Sequence, residues 1–283
     1  MTSKLMTSRR GGGRGWLYAG LCLLAAAPAA ALDENPAPVV HRIAAPEARQ
    51  GVASDGTYIY AIDNNTIAKY RIAGGKRIAE WHGDPALYPH INSCTIAQQQ
   101  LVCAASNHPG VPQLSTIEFF DPATLRHLRS VSLGMAPGSL TVVNRHDGHW
   151  WAVFANYDGP GEGVNGGEPT RDHRYTLLAR LDEDFRIDRG WAFPADVLDR
   201  FKPKSASGMS WGPGGHLYAS GHDRPEVYVL DLPEAGSVLV HKGTIALTTH
   251  GQAIDFDPRD PTLLWSIDRP SRTVIASRIG AQP

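Results

Sequence analysis

Several things are scarce in this chain of 283 residues, and each absence narrows what it can be. Apolar residues recurring at helical spacing are almost missing, which argues against a helical bundle. No apolar run reaches the ~20 residues needed to span a bilayer as a helix. Charge of one sign is not in excess, since 27 basic residues face 28 acidic ones. With no basic stripe on any segment, a nucleic-acid partner is not expected. There is no closely spaced set of metal ligands, and no serine in a nucleophile-elbow context that would announce acyl chemistry. Only three cysteines are present.

The first 31 residues read as an export leader. Arg9, Arg10 and Arg14 form a basic n-region, Trp16 to Ala27 an apolar h-region, and Ala29-Ala30-Ala31 a small-residue cleavage site. Arg9-Arg10 followed by Gly11-Gly12-Gly13 departs from a twin-arginine signal, and Leu21 before Cys22 departs from a lipid-attachment site. The expectation is a periplasmic or secreted protein with no membrane anchor after removal of 1–31, and one domain over 32–283. Lys4, Arg9, Arg10 and Arg14 leave with the leader, so the mature chain is mildly acidic, which favours solubility and a monomer.

Cys94 and Cys103 remain, flanking Gln98-Gln99-Gln100 in two strand-like runs. A turn centred on Gln98-Gln99 makes residues whose numbers sum to 197 face one another, and 94 then pairs with 103. As a non-hydrogen-bonded pair their Cα atoms would approach to about 4.5 Å, a distance a disulfide can close. The alternative is two small buried apolar side chains.

What the chain has instead is repetition. A small-residue start, a turn, an apolar run ending in an aromatic and further short strands recur beginning at Gln50, His90, Gly138, Ser207 and Gly251. A period of roughly 40 to 50 residues with four strands per copy is the signature of a β-propeller, so the expectation is an all-β, five-bladed propeller. The last copy has three strands, while Pro38-Val-Val-His-Arg-Ile-Ala44 precedes the first copy unassigned. If that segment becomes the outer strand of the last blade, the ring closes and no sheet edge is left open. A β-sandwich and a six-bladed ring are the alternatives. The only helix expected is a short one over Ala195 to Phe201.

In such a ring, the connections leading into first strands and those joining second to third strands emerge on one face. The opposite face receives tight turns such as Ser54-Asp55-Gly56, Asp147-Gly148 and Pro213-Gly214-Gly215. The sorted face collects the polar candidates, as loops on a rigid scaffold commonly carry function. His108 and His222, with Asp223 and Asp158 as neighbours, are candidates for general acid–base work. Arg49, Gln50, Asn92, Asn107, Asn156, Tyr157, Gln252 and Arg269 are candidate ligand-binding residues, the arginines suited to an anionic group. His90, His250 and Glu47 could hold one divalent metal, Ca, Mg or Zn. Each histidine has a plain alternative, as a channel or turn residue hydrogen-bonded to water. Glu47, Asp63, Asp158 and Asp268 would be the carboxylates of a glycosidase, if two of them paired. The glycine-rich segment Asn156 to Arg174 could cover the mouth or be a simple insertion.

The runs Arg49-Gln-Gly-Val-Ala-Ser-Asp-Gly, His90-Ile-Asn-Ser, Ser106-Asn-His-Pro-Gly-Val-Pro, Ser115-Thr-Ile-Glu and His149-Trp-Trp-Ala-Val-Phe together resemble exported bacterial propellers labelled cycloisomerases. The resemblance spans nearly all of the mature chain and implies a propeller whose activity would be that of an isomerase. The reading is therefore an exported enzyme acting on a small polar or anionic, sugar- or lactone-like ligand, by histidine-assisted proton transfer or hydrolysis at the channel mouth. Its rival is a non-catalytic propeller that binds a glycan or a protein.

Overall fold

The computed structural model describes residues 32–33, 35–159 and 166–280. The leader expected over 1–31 lies outside the described residues. Among the described residues, twenty-one strands form five sheets in a ring, with one short α-helix. Two strands precede the first blade: β1 (Leu32–Asp33) and β2 (Val39–Ala44). Blade 1 is β3 (Gly51–Ser54), β4 (Tyr58–Asp63), β5 (Thr66–Arg71) and β6 (Arg77–His82). Blade 2 is β7 (His90–Ala97), β8 (Gln100–Ser106), β9 (Leu114–Phe120) and β10 (His127–Met135). Blade 3 is β11 (Ser139–His146), β12 (His149–Ala155), β13 (Leu177–Leu181) and β14 (Ile187–Ala192). After α1 (Ala195–Phe201), blade 4 is β15 (Gly208–Trp211), β16 (Leu217–Ser220), β17 (Glu226–Asp231) and β18 (Val240–Ala246). Blade 5 has β19 (Asp255–Phe256), β20 (Leu263–Asp268) and β21 (Thr273–Arg278).

The fourth strand of blade 5 is β2, which lies antiparallel to β21 with Val39 opposite Ser277 and Ala44 opposite Thr273. The five-bladed ring and its closure by the N-terminal strand are thus as the repeat implied. One feature was not anticipated: β1 adds a fifth strand to blade 4, parallel to β18, with Leu32 opposite Thr244.

The inner and middle strands of each blade are apolar almost throughout because both of their faces are covered by neighbouring blades. Along β4, Ile59 and Ala61 pack towards blade 5, while Tyr60 and Ile62 pack towards blade 2. The adjacent Trp150 and Trp151 divide in the same way, between the blade 2–3 and blade 3–4 interfaces. This is the two-residue alternation of a strand serving two cores at once. Five such cores, one between every neighbouring pair of blades, hold the ring.

The β7–β8 hairpin has the expected register, with Ser93 opposite Ala104, Cys94 opposite Cys103 and Thr95 opposite Val102. Gln98 and Gln99 adopt φ of 49° and 62°, the left-handed conformation a tight hairpin turn requires. Cys94 and Cys103 form a disulfide with Cα atoms 3.9 Å apart, a bond that belongs to an oxidising compartment. No helix among the described residues is long and apolar enough to cross a membrane.

Candidate functional site

A cavity of about 280 Å³ opens at one mouth of the channel, and all five blades line it. Blade 1 contributes Gln50, just ahead of β3. Blade 2 contributes His90 and Asn92 from β7 and His108 from the β8–β9 connection. Thr141 on β11 and Tyr157 after β12 come from blade 3. Blade 4 adds Lys204 and Ser207 ahead of β15 and His222 from the β16–β17 connection, and blade 5 adds Gln252 and Arg269. No carboxylate and no aliphatic side chain is among these lining residues.

His222 is the most heavily engaged of the three histidines. Its Nδ1 lies 2.5 Å from Asp223 Oδ1. A carboxylate only accepts, so Nδ1 carries the hydrogen and donates it. Nε2 then presents a lone pair, to which Arg269 Nη1 donates at 3.3 Å, while Lys204 Nζ lies 3.2 Å from both ring nitrogens. Burial and the two cations hold the His222 imidazole below its ordinary pKa, with Asp223 pulling the other way. The ring is therefore a neutral base facing two positive charges.

His90 is pushed down to about 4 by burial and by the neighbouring His108. His108 is lowered by burial first and also by the charge of Lys204. Their rings and that of Tyr157 form a tilted series, 5.1 Å from His90 to His108 and 5.0 Å from His108 to Tyr157. Burial pushes the Tyr157 hydroxyl up to about 12, so it keeps its proton at neutral pH. His108 Nδ1 is buried without a hydrogen-bond partner, which leaves Nε2 as the nitrogen available to the cavity.

The backbone presses His222 into place. Gly251 sits at φ 53°, and a Cβ there would fall 2.3 Å from the His222 carbonyl carbon and oxygen. Gln252 follows at φ 70°, with its Nε2 donating to the same carbonyl oxygen at 3.4 Å. Left-handed backbone in a residue other than glycine costs free energy and is maintained only where its surroundings impose it. Here it brings Gln252 into the cavity wall.

The site candidates read from the sequence divide into two groups. Gln50, His90, Asn92, His108, Tyr157, His222, Gln252 and Arg269 meet at the cavity, and Asp223 stands directly behind His222. The others are taken by their own neighbours. Arg49, half-exposed, pairs with Asp63 at 3.5 Å. Asn107 closes its own loop, donating to Pro112 O and accepting from Leu114 N. Asn156 is fully buried behind the wall and donates to Pro137 O and Tyr175 O. Asp158 accepts from His173 Nδ1 at 2.5 Å, outside the cavity.

The metal-ligand set does not assemble. Glu47 accepts from Tyr70 (2.6 Å) and Arg77 (3.0 Å), and His250 is exposed and absent from the lining. Among the described residues the only group of three potential ligands is Asp158, Asp172 and His173, away from the mouth. Both Asp172 oxygens there already accept from the Arg174 guanidinium. Of the four carboxylates considered for glycoside cleavage, Glu47, Asp63, Asp158 and Asp268, none lines the cavity. Asp268 accepts instead from Ser271. The Asn156 to Arg174 segment is described on both sides of 160–165, which lie outside the described residues. Its Gly166 O and Glu168 carboxylate are bound by Gln113 of the β8–β9 connection.

Lys204 is the important residue the sequence reading passed over. It precedes Ser207 in the connection into β15, the same structural position from which Gln50 and Gln252 reach the mouth, and that equivalence could have flagged it.

No family model and no curated protein matches the chain. Solved propellers do. The PQQ-bound aldose sugar dehydrogenase of Streptomyces coelicolor is 12% identical, with 87% of this chain aligned to 83% of that one at a TM-score of 0.50. Virginiamycin B lyase of Staphylococcus aureus is 14% identical over 81% and 67% of the two chains, at 0.44. The β-propeller domain of Myceliophthora thermophila Cps50 (Swd1) is 14% identical over 81% and 83%, at 0.41. At these identities the likeness is one of fold.

Proposed function

We propose that the protein is an enzyme that moves a proton on a small anionic ligand held at the channel mouth, as an isomerase or lyase does. The observation that carries this reading is the neutral His222 imidazole, fixed through Nδ1 by Asp223 and facing two cations with no carboxylate on the cavity wall. An incoming carboxylate draws Lys204 and Arg269 to itself and takes the hydrogen bond that Arg269 now gives to Nε2. The freed lone pair is then positioned to accept a proton from the carbon next to the carboxylate.

The electron pair of the broken C–H bond moves into the carboxylate, whose growing charge Lys204 and Arg269 oppose in a partly desolvated site. Asp223 stabilises the imidazolium that results. Return of the proton to the opposite face of the same carbon gives an epimer. Expulsion of a substituent from the neighbouring carbon gives an alkene, and the Tyr157 hydroxyl can supply the proton that the leaving group takes.

The test is proton exchange in D2O with gluconate, malate and 3-hydroxybutyrate, followed by NMR at the carbon adjoining the carboxylate. Exchange that His222→Gln abolishes is the expected result. Exchange unchanged in His222→Gln would remove His222 as the base. Binding without exchange in every acid would assign the cavity to a non-catalytic binding propeller.

A further inference from the structure

The walls of the mouth specify more than a negative charge. Ligand pockets are usually lined by apolar side chains with a few polar groups, and this one has no aliphatic side chain among its lining residues. Three of those residues are amides that each already donate at least one N–H to the protein. Asn92 Nδ2 donates to Leu140 O at 2.8 Å, Gln252 Nε2 to His222 O at 3.4 Å, and Gln50 Nε2 to Asn64 Oδ1 at 2.8 Å. A backbone carbonyl only accepts, which fixes the orientation of Asn92 and Gln252. For Gln50 and Gln252 no hydrogen bond occupies Oε1, and each keeps a second N–H, so both amides can accept from and donate to a ligand.

Hydroxyls of Thr141, Ser207 and Tyr157 complete the wall, each able to donate or accept. Free acceptors call for a ligand rich in O–H donors, while Lys204 and Arg269 call for an anion. The cavity volume is about 280 Å³. This lies at the low end for ligand pockets and suits one small molecule such as a six-carbon acid.

We infer that the ligand of this mouth is a sugar acid, a carboxylate of about six carbons bearing several hydroxyl groups, rather than an alkyl acid or a neutral sugar. This rests on the anion-site reading above and narrows it. A site built to accept hydrogen bonds rejects an analogue without donors, because its own polar groups are then left desolvated and unpaired.

The experiment is isothermal titration of the wild-type protein at pH 7 with D-gluconate, D-glucose and hexanoate. Gluconate is expected to bind at least tenfold more tightly than either of the others. Gln50→Leu should weaken gluconate about tenfold and leave hexanoate unchanged. Hexanoate binding as tightly as gluconate overturns the sugar-acid inference and leaves the anion site standing. Glucose binding as tightly as gluconate overturns both, since the two cations would then contribute nothing. Absence of binding by all three at millimolar concentration also overturns both.

Discussion

Asp255 on β19 is the group whose replacement should change stability most legibly. It is buried in the inner strand of blade 5 and accepts from Ser54 N of blade 1 (3.0 Å) and from Ser210 Oγ of blade 4 (3.2 Å). One carboxyl thus joins three blades where the ring closes. Burial, aided by the charge of Asp257, raises its pKa from 3.8 to about 7. Between those two values the folded chain holds a proton that the unfolded chain has released, so stability falls as pH rises through the window. A difference of about three pH units at 1.36 kcal/mol each makes the loss about 4 kcal/mol once pH 7 is passed. Asn in place of Asp255 cannot ionise. Its oxygen can still accept from Ser54 N, and its NH2 can donate to a reoriented Ser210 hydroxyl. Guanidinium denaturation of wild type and Asp255→Asn at pH 4.5 and pH 8 isolates this group, because other titrations cancel in the difference. Relative to wild type, the variant should gain about 3 kcal/mol between the lower and the higher pH, since part of the window lies below pH 4.5. An equal stability difference at both pH values would refute the reasoning.

Other expectations are independent of this one. Gly251→Ala places a Cβ against the His222 carbonyl in a left-handed backbone. It should cost about 2 kcal/mol or more by chemical denaturation and weaken anion binding, whereas Gly215→Ala, with open space around it, should leave binding intact. Replacing both Cys94 and Cys103 by Ala removes a crosslink between residues nine apart. Loop-closure entropy puts the loss at up to about 3 kcal/mol, and an unchanged denaturation midpoint would contradict it. Deleting residues 1–44 removes β2 and leaves β21 with an open edge, so the truncated chain should fail to give the cooperative transition of the full one.

The fold was legible in the sequence for a simple reason. Inner and middle strands face a core on each side, so their apolar runs and the turns between them repeat at a visible interval. The unpaired segment at Val39 and the three-stranded last copy pointed to each other. The hairpin register followed from counting outward from Gln98-Gln99. Outer strands were harder to see. β18 reads Val-His-Lys-Gly-Thr-Ile-Ala and buries only Thr244 and Ile245, so no apolar run marks it.

The site was half legible. Sorting loops by face put eight lining residues on one mouth, because topology alone decides where a connection emerges. Which polar residues remain free once neighbours have claimed them depends on contacts far apart in sequence. Asp63 claims Arg49, Tyr70 and Arg77 claim Glu47, and His173 claims Asp158. None of these pairings leaves a mark in the spacing of residues along the chain.

The account turns on His222 being an uncharged base, protonated on Nδ1, between Lys204 and Arg269. Nitrogen-15 NMR of the histidine side chains across a pH titration, with and without sulfate, reads that state directly. The prediction is an Nδ1–H imidazole titrating below the ordinary histidine range, and shifting upward when sulfate is added. A His222 already charged at pH 7 in the absence of an anion, or one that sulfate does not move, would contradict it.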